Sequence, residues 1–408
     1  MKKKLILCLA LLFSLGSAFI LNAAQGNDSK ELNGLIAKAL SENKTIVLDR
    51  NRTYHIDKEI KPIQLKPGQQ FSIEGNGAKI NFVANTGNRE SYLFHISSKD
   101  YNSTGSVSIT NLHIEGAENP TQFAVRDYNK LRLAIPLFTE RIFSVSISNV
   151  SMRKIYGAGV RVNVFGQFSA RNLDFKEVGG KWYTSNDYDS FGDAIYLGFA
   201  RGDSQAVIEN CHLEGYSATP FQGGFAQNLS RSAIVTEYNQ KNLLNLSVSN
   251  CILIGYHRSI HMEASKTALD VKNTEFNRFG CGVFVYGFEA RDISIENSKF
   301  IDNVDAFFGG AKGVVTGFAN NNKAVVNNSE IRSDAFWREN EMNVTYRSSQ
   351  FKFNTYSRPS RASRFENCTF QTRANLGDDF GKMDNQSRTK KGNSLGTFIE
   401  DLVKALFG

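Results

Sequence analysis

The chain has 408 residues, of which 41% are apolar and only 6 are proline, a composition that can bury a core and excludes an intrinsically disordered chain. The formal net charge is +8, without a dense block of Lys and Arg of the kind that binds nucleic acid. A mild basic balance of this size is compatible with an acidic polymer as the partner.

The chain begins with a segment that has the layout of a secretory signal peptide. Residues 1–24 start with a lysine triplet, continue with an apolar run from Leu5 to Leu21 and contain small residues up to Ala24. Cleavage after Ala24 would lower the net charge from +8 to +5, because the segment carries three lysines and no acid. No other run approaches about 18 apolar residues, so no membrane span is expected after cleavage. We therefore expect a protein that is secreted, periplasmic or held at the cell surface.

An amphipathic helix is predicted within residues 25–44. Asp28 and Glu31 have the spacing of a capping box at its start. The open end of a stacked-strand domain needs a cover, so we assign this helix to the amino-terminal cap. Its apolar face consists of Leu32, Leu35, Ile36, Ala39 and Leu40.

One short pattern recurs through most of residues 45–372. An apolar residue stands two positions before an Asn, and Ile, Leu, Met or Phe stands three positions after it. Apolar residues alternate on both sides of the Asn, which predicts strands with one buried face and a bend at the Asn. Successive Asn are 23 to 40 residues apart, so the shorter units suit three strands and the longer ones carry loop insertions. The nine residues are Asn111, Asn149, Asn172, Asn210, Asn250, Asn273, Asn297, Asn328 and Asn367.

A single unit of this kind cannot bury its own apolar face, so the units must stack on one another. Stacking would place equivalent Asn about 4.8 Å apart, in a hydrogen-bonded column serving bend backbone groups that water cannot reach. The pattern, together with the stretch TIVLDRNRTYHIDKEIKPIQLKPGQQFSIEGNGAKINF, resembles the pectate lyase and polygalacturonase superfamily. The resemblance implies an all-β fold, a single-stranded right-handed parallel β-helix over residues 45–372, with a polysaccharide as partner.

Four cysteines follow the predicted leader. Cys211, Cys251 and Cys368 each come directly after a repeat Asn, at a position expected to line the core. With Cys281 they are interpreted as buried free thiols. No spacing of Cys and His resembles a zinc site.

The resemblance also implies a groove, because in the superfamily the first strand of each coil lines a polysaccharide-binding cleft. On this chain the rule predicts groove strands at 159–164, 194–198, 233–237, 259–263, 282–286 and 306–310. If Val160 and its equivalents face the core, the next residue of each strand faces solvent. One outward column then contains Arg161, Tyr196, Val235, His261, Phe284 and Phe307, and a second contains Asn163, Gly198, Glu237, Glu263, Tyr286 and Gly309. The alternatives are a shift of the pattern by one residue, or loops that cover the aromatic rings.

Several loop insertions precede these strands, at about 117–133, 179–192 and 216–232. The middle insertion combines Trp182 with Asp187 and Asp189, and Asp193 follows it. A Trp for the face of a sugar and carboxylates for its hydroxyls would suit carbohydrate binding. A loop that packs against the barrel is the alternative interpretation.

Glu237 and Glu263 are the most specific chemical prediction. Equivalent places in neighbouring coils would bring the two carboxylates close together and move their pKa values apart, giving an acid and a base. A separation near 5 Å suits retaining glycoside hydrolysis. Alternatively the pair holds Ca²⁺ for β-elimination from a uronate, with His261, Arg161 or Arg258 near the abstracted proton. Two solvated glutamates without a catalytic role are the third interpretation.

The end of the chain, residues 373–408, is predicted to be a polar tether followed by an amphipathic helix, TFIEDLVKALF, that covers the last coil.

The catalytic motifs of the polygalacturonases are absent from the coils, and SRPSR only faintly matches the arginine motif of the pectate lyases. The leading hypothesis is an exported protein that cleaves a uronate-bearing glycan by lysis or hydrolysis. A non-catalytic adhesin or tailspike-like module and a carbohydrate epimerase remain alternatives, and the sequence leaves the oligomeric state open.

Overall fold

The computed structural model of the chain describes residues 28–58, 60–83, 90–116, 132–180, 192–216, 229–238, 241–263, 266–286, 292–304, 312–317, 323–338, 340–357 and 363–374. The predicted leader and carboxy-terminal helix lie outside these residues. Within them, no helix is long and apolar enough to cross a membrane.

Helix α1 spans Ser29–Glu42 and buries Leu32, Ile36 and Ala39 against the first coils. The predicted capping box is wrong, since the Asp28 side chain caps no amide of the helix. Its carboxylate instead accepts hydrogen bonds from the backbone N–H of His55 and from Arg52, at 2.7 and 2.9 Å. The helix is therefore tied to the second strand of the sheet.

The strands follow in chain order after α1. They are β1 (Ile46–Val47), β2 (Thr53–Ile56), β3 (Ile63–Leu65), β4 (Gln70–Glu74), β5 (Lys79–Phe82), β6 (Glu90–Ser98), β7 (Ser106–Gly116), β8 (Leu133–Glu140), β9 (Ser144–Tyr156), β10 (Val160–Arg171), β11 (Asp174–Gly179), β12 (Asp193–Glu209), β13 (His212–Glu214), β14 (Ser230–Glu237), β15 (Leu244–Ser249), β16 (Ile252–Ile254), β17 (Tyr256–Glu263), β18 (Thr267–Lys272), β19 (Glu275–Phe279), β20 (Cys281–Tyr286), β21 (Ile293–Glu296), β22 (Lys299–Asn303), β23 (Gly313–Gly317), β24 (Lys323–Asn327), β25 (Glu330–Arg332), β26 (Ala335–Phe336), β27 (Asn343–Arg347), β28 (Gln350–Phe353), β29 (Thr355–Tyr356), β30 (Arg364–Glu366) and β31 (Thr369–Thr372).

The pairings between these strands are parallel, and each strand pairs with its equivalent in the next coil; one isolated antiparallel bridge joins Thr316 and Glu341. The chain is a right-handed parallel β-helix, as predicted. Wall 1 contains β6, β8, β14, β17, β20, β23 and the first parts of β10 and β12. Wall 2 runs from β4 through β15, β18, β21 and β24 to β30, and wall 3 runs from β5 through β16, β19 and β22 to β31.

The core is a set of apolar columns inside the three walls. Wall 1 stacks Ile234, Ile260 and Val283 in register. Wall 3 stacks Phe276 on Phe300, with ring centroids 4.5 Å apart and planes at 7°. Each fully buried side chain of this size contributes about 1.5–3 kcal/mol. Because every coil repeats these contacts, the stacking fixes which residues face outwards.

All nine repeat Asn occupy the left-handed region of the backbone, with φ between 46° and 54°. Asn tolerates this conformation better than most side chains, which explains why it marks the bend. Side-chain amides join some neighbours, for example Asn149 Nδ2 to Asn111 Oδ1 at 3.0 Å. Eight of the nine are exposed, however, and Asn111 is half-buried. The expectation that they serve backbone groups hidden from water was therefore wrong.

After Asn273, Asn297 and Asn328 that task falls to the next residue, a Thr or Ser that points into the bend. Ser298 Oγ accepts the backbone N–H of Thr274 at 3.2 Å and donates to the carbonyl of Glu296 at 2.9 Å. The same contacts recur one coil further on, where Ser329 Oγ accepts the N–H of Ser298 at 3.1 Å. We name this set the inner hydroxyl file; its members are Thr274, Ser298, Ser329 and Ser349.

Thiols replace hydroxyls in other coils. Cys211, Cys251 and Cys368 occupy the equivalent place, and their sulfurs contact the carbonyl two residues earlier. All three, and Cys281 on wall 1, are buried and unbridged, which confirms the predicted free thiols.

Ser298→Ala should destabilise the fold by about 1–3 kcal/mol, because it leaves the buried N–H of Thr274 without its acceptor. The control is Ser294→Ala, an exposed serine of the same coil, which should change the free energy of unfolding by less than about 0.5 kcal/mol. Urea unfolding measures both. Equal effects of the two substitutions would contradict a structural role for the inner hydroxyl file.

Candidate functional site

The strands of wall 1 depart from simple alternation at their start. In β12 both Ala194 and Ile195 belong to the main core, and in β14 both Ala233 and Ile234 do. Because two consecutive residues face inwards, the residues before and after them, which are three positions apart, both face outwards. In β17 this places Arg258 beside His261, with Nη1 and Nε2 3.3 Å apart.

Wall 1 therefore presents three outward rows. Row 1 contains Asp193, Ser232, Arg258 and Cys281; row 2 contains His95, Phe138, Arg161, Tyr196, Val235, His261, Phe284 and Thr316; row 3 contains Ser97, Glu140, Asn163, Gly198, Glu237, Glu263 and Tyr286.

The register from Arg161 to Phe284 and from Asn163 to Tyr286 agrees with the sequence prediction. The next step does not. Strand β20 pairs with β23, so Thr316 stands beside Phe284, and the predicted groove strand at 306–310 was wrong. The run GVVTG at 313–317 has the same apolar pattern as the segment chosen from the sequence. Phe307 itself lies outside the described residues.

His261 and Phe284 were expected to face solvent, and this expectation was wrong. They are 1% and 0% exposed although they lie apart from the main core. The guanidinium of Arg258 covers Phe284, with its central carbon 3.7 Å from the ring centroid. Alternation predicts the direction of a side chain but not what packs over it. These three residues form the buried floor of the site.

Two carboxylates stand at the rim of this floor. Glu237 and Glu263 are register partners in β14 and β17, and the Glu263 side chain is 29% exposed. The hydroxyls of Tyr196 and Tyr238 donate hydrogen bonds to Glu237. Burial, reinforced by Glu237, raises the pKa of Tyr196, so its proton stays available for this bond. The geometry brings two acids from neighbouring coils to one accessible place.

Arg231 connects this pair to the interior. Its Nη1 lies 2.5 Å from Asp193 Oδ2, and its Nη2 lies 3.6 Å from Glu263 Oε2. Burial lowers the pKa of Arg231, but the nearby carboxylates outweigh it, so the guanidinium stays charged. Burial raises the pKa of Asp193 despite that charge. Arg231 is thus the counter-ion of a carboxylate hidden from water.

Arg231 was not predicted as a site residue, because the sequence pattern assigned residues 216–232 to an insertion. In the structure the strand already begins at Ser230. A signal was present, since Ser-Arg-Ser-Ala-Ile at 230–234 matches Tyr-His-Arg-Ser-Ile at 256–260 in placing a basic residue just before the buried run.

The remaining groups of the floor have strongly altered acidity. Burial, with the positive charges of Arg258 and Arg231, holds the pKa of His261 well below its usual range, so the imidazole is neutral. Burial and Arg231 lower the pKa of Arg258 to about 9. Burial raises the pKa of Glu263; Glu237 adds to the effect and Arg231 opposes it. Glu263 therefore retains a proton at a higher pH than an ordinary glutamate.

Row 2 continues as an aromatic surface towards the amino terminus. The Arg161 guanidinium lies between the rings of Phe138 and Tyr196, at 5.3 and 5.4 Å. Phe138 stacks on His95 at 4.8 Å and on Tyr92 at 5.3 Å. We name these five residues the aromatic run. It leads along the wall to the carboxylate pair.

The other predicted site residues fall into two groups. Asn163 is half-buried in row 3, and Tyr286 is 50% exposed beyond Glu263. Trp182, Asp187 and Asp189 lie outside the described residues. In the part of the chain that the structure describes, no three His, Cys, Asp or Glu side chains are grouped as around a metal ion. Arg231, rather than a cation site, contacts both Asp193 and Glu263.

A separate hollow of about 360 Å³ lies on wall 2, and its lining combines apolar residues such as Val207 and Ala268 with polar ones such as Ser247. The buried basic groups and the paired carboxylates are on wall 1. Wall 1 is therefore the candidate functional site.

Arg231→Met should destabilise the protein by about 3–5 kcal/mol, because Asp193 loses its counter-ion. The double variant Asp193→Asn/Arg231→Met should recover most of this loss. The raised pKa of Asp193 means that stability is lost as the pH rises through it, so Arg231→Met should suffer more at pH 8 than at pH 5. Urea unfolding of all four proteins measures the coupling. Additive effects of the two substitutions would contradict the ion pair.

No model of a known protein family matches the chain, and no curated protein matches it. Solved structures do match over 85% of the chain. One is the A-module of the Azotobacter vinelandii mannuronan C-5 epimerase AlgE4, at 14% identity, covering 94% of that chain with a TM-score of 0.42. Others are tailspike protein 3 of bacteriophage CBA120, at 11% identity over 59% of that chain with a TM-score of 0.36, and a double mutant of the tailspike of E. coli bacteriophage HK620, at 10% over 63% with 0.34.

Proposed function

We propose that the chain is a polysaccharide-active enzyme that hydrolyses a glycosidic bond between Glu237 and Glu263. The observation that carries this proposal is the pairing of these two residues on adjacent strands, at the accessible edge of a buried polar floor. Neighbouring strands lie about 4.8 Å apart. Retaining glycoside hydrolases hold their two carboxyl groups about 5–5.5 Å apart.

The different surroundings of the two carboxyls support different roles. Glu263 has a raised pKa and acts as the acid that protonates the glycosidic oxygen. Glu237, held by Tyr196 and Tyr238, attacks the anomeric carbon as the carboxylate while the leaving sugar departs with that proton. Glu263 then takes a proton from water, which displaces Glu237 from the anomeric carbon and releases the second product.

His261 and Arg231 position Glu263 in this scheme. His261 Nε2 and Arg231 Nη2 lie 3.5 and 3.6 Å from Glu263 Oε2. Because His261 is buried and neutral, we assign it to orienting Glu263 rather than to abstracting a proton from the glycan. Arg258 Nη1 lies 3.3 Å from the same nitrogen of His261, Nε2.

The glycan is proposed to lie along row 2, across the aromatic run. Aromatic faces bind the apolar faces of sugar rings while the sugar hydroxyls stay in water. Arg161 is 29% exposed within this run, and its Nη1 lies 3.6 Å from Glu90 Oε1. Its guanidinium would bind a carboxylate of the glycan in addition to Glu90. We therefore keep a uronate-bearing glycan as the expected substrate class, encountered after export of the chain.

Glu237→Gln and Glu263→Gln should each lower kcat by about 10²- to 10⁴-fold, because the first removes the nucleophile and the second removes the acid. The assay incubates the protein with alginate, polygalacturonate, xylan and a soluble β-glucan, and measures reducing ends together with the absorbance of unsaturated uronate. Glu275→Gln, a half-buried glutamate of wall 3, is the matched control and should retain wild-type activity.

The readouts separate the competing functions. New reducing ends without new absorbance support hydrolysis. Absorbance of unsaturated uronate would show β-elimination instead and would reject hydrolysis. Retention on a glycan gel without any product would point to a binding module.

The pH profile tests the role of Glu263. The value of kcat/KM should fall as the pH rises through the raised pKa of Glu263, because the acid then loses its proton. The residual activity of Glu263→Gln should lack this alkaline limb. If the limb persists unchanged in that variant, another group is the acid.

A further inference from the structure

Two large aromatic side chains are exposed beside the carboxylate pair. Phe199 and Tyr238 are 43% and 49% exposed, and their rings stack with centroids 4.9 Å apart and planes at 20°. They follow Gly198 and Glu237, which are register partners in row 3. The two rings therefore come from adjacent coils at the edge of wall 1.

The backbone at these positions has the conformation of the bend that ends wall 1. Phe199 and Tyr238 have φ of 57° and 58°, in the left-handed region that bulky residues rarely occupy. At the nine bends between walls 2 and 3 the chain uses Asn for the same conformation. The equivalent residues of the two preceding coils, Arg141 and Val164, have φ of 59° and 58°, so the conformation belongs to the bend. What distinguishes the coils of Phe199 and Tyr238 is the pair of exposed rings.

The aromatic pair is continuous with the proposed chemistry. The Tyr238 hydroxyl donates to Glu237, and this bond together with the carboxylate charge raises the pKa of Tyr238. The Tyr238 ring stacks on Phe199, and its hydroxyl holds Glu237. In the proposed mechanism this ring therefore lies next to the reacting sugar. A polar surface loop would have no need of two stacked rings in water.

We propose that Phe199 and Tyr238 form a stacking platform for a pyranose ring of the glycan, adjacent to the ring that is cleaved. This inference rests on the proposed function, which it deepens by adding a subsite. The platform offers a flat apolar surface for the C–H face of a hexopyranose, while the hydroxyl groups of the sugar remain in water. Tyr238 acts both in the platform and in holding Glu237.

The test measures binding without turnover, in the Glu263→Gln background, by affinity gel electrophoresis. The gels contain alginate, polygalacturonate, xylan or a soluble β-glucan. Phe199→Asn removes one ring and supplies a residue that tolerates the left-handed backbone, so the protein should fold. The substitution should weaken the affinity of the protein for the glycan in the gel about fivefold to tenfold. Tyr238→Phe keeps the ring and should retain most of the binding.

Tyr101→Ala is the control, because Tyr101 is 52% exposed outside wall 1. It should leave retention unchanged, and thermal melting of each variant confirms folding. Unchanged retention of Phe199→Asn would overturn the platform, as would the absence of retention by every glycan.

The same variants separate this inference from the proposed function. Retention that depends on Phe199 in a protein without hydrolytic activity would uphold the platform and reject hydrolysis. If Phe199→Asn, introduced into the wild-type protein, leaves the rate of hydrolysis unchanged, hydrolysis is upheld and the platform is rejected. A dimer that dissociates on Phe199→Asn, with glycan retention unchanged, would assign the rings to a contact between two copies.

Discussion

The register between successive coils is the constraint on which the rest of the structure depends. Side chains alternate along a strand, so a slip of one residue between coils would exchange the inner and outer faces. Two devices at the bend between walls 2 and 3 oppose such a slip: left-handed Asn outside, and the inner hydroxyl file inside. Both are far from wall 1. Glu237 nevertheless meets Glu263 because the same coils are aligned there.

The electrostatics of wall 1 show how a buried charge is tolerated in this arrangement. Isolating Asp193 from water is costly, and Arg231 offsets that cost by direct contact. The same guanidinium reaches Glu263, so the interior ion pair and the exposed acid share one cation. The acidity of Glu263 is therefore set partly by a residue that solvent does not reach. Neutral His261 completes this arrangement without adding a charge.

The sequence was sufficient for the fold and for the alignment of wall 1 from β10 to β20, because both follow from a repeated pattern. Equivalent Asn and apolar positions placed Arg161, Tyr196 and Glu237 in the correct rows. The burial of His261 could not be predicted, since it depends on Arg258 folding over the neighbouring strand. Arg231 was missed because periodicity is weakest where a loop joins a strand. The strand at 313–317 was displaced in the prediction for the same reason, and the aromatic pair escaped notice because both residues break the alternation.

The strands of each coil pair only with those of the neighbouring coils, so most of the stability is a sum over adjacent pairs of coils, although Arg201 and Tyr256 also donate hydrogen bonds to more distant coils. Insertions between walls 3 and 1 are accommodated without moving the strands that hold Glu237 and Glu263. One consequence concerns how such a protein can diversify. Inserting an additional coil into the amino-terminal half of wall 1 would lengthen the proposed glycan-binding surface by one coil, while Glu237 and Glu263 would remain register partners. Under the proposed function, the length of the glycan-binding surface can therefore change while the carboxylate pair stays the same.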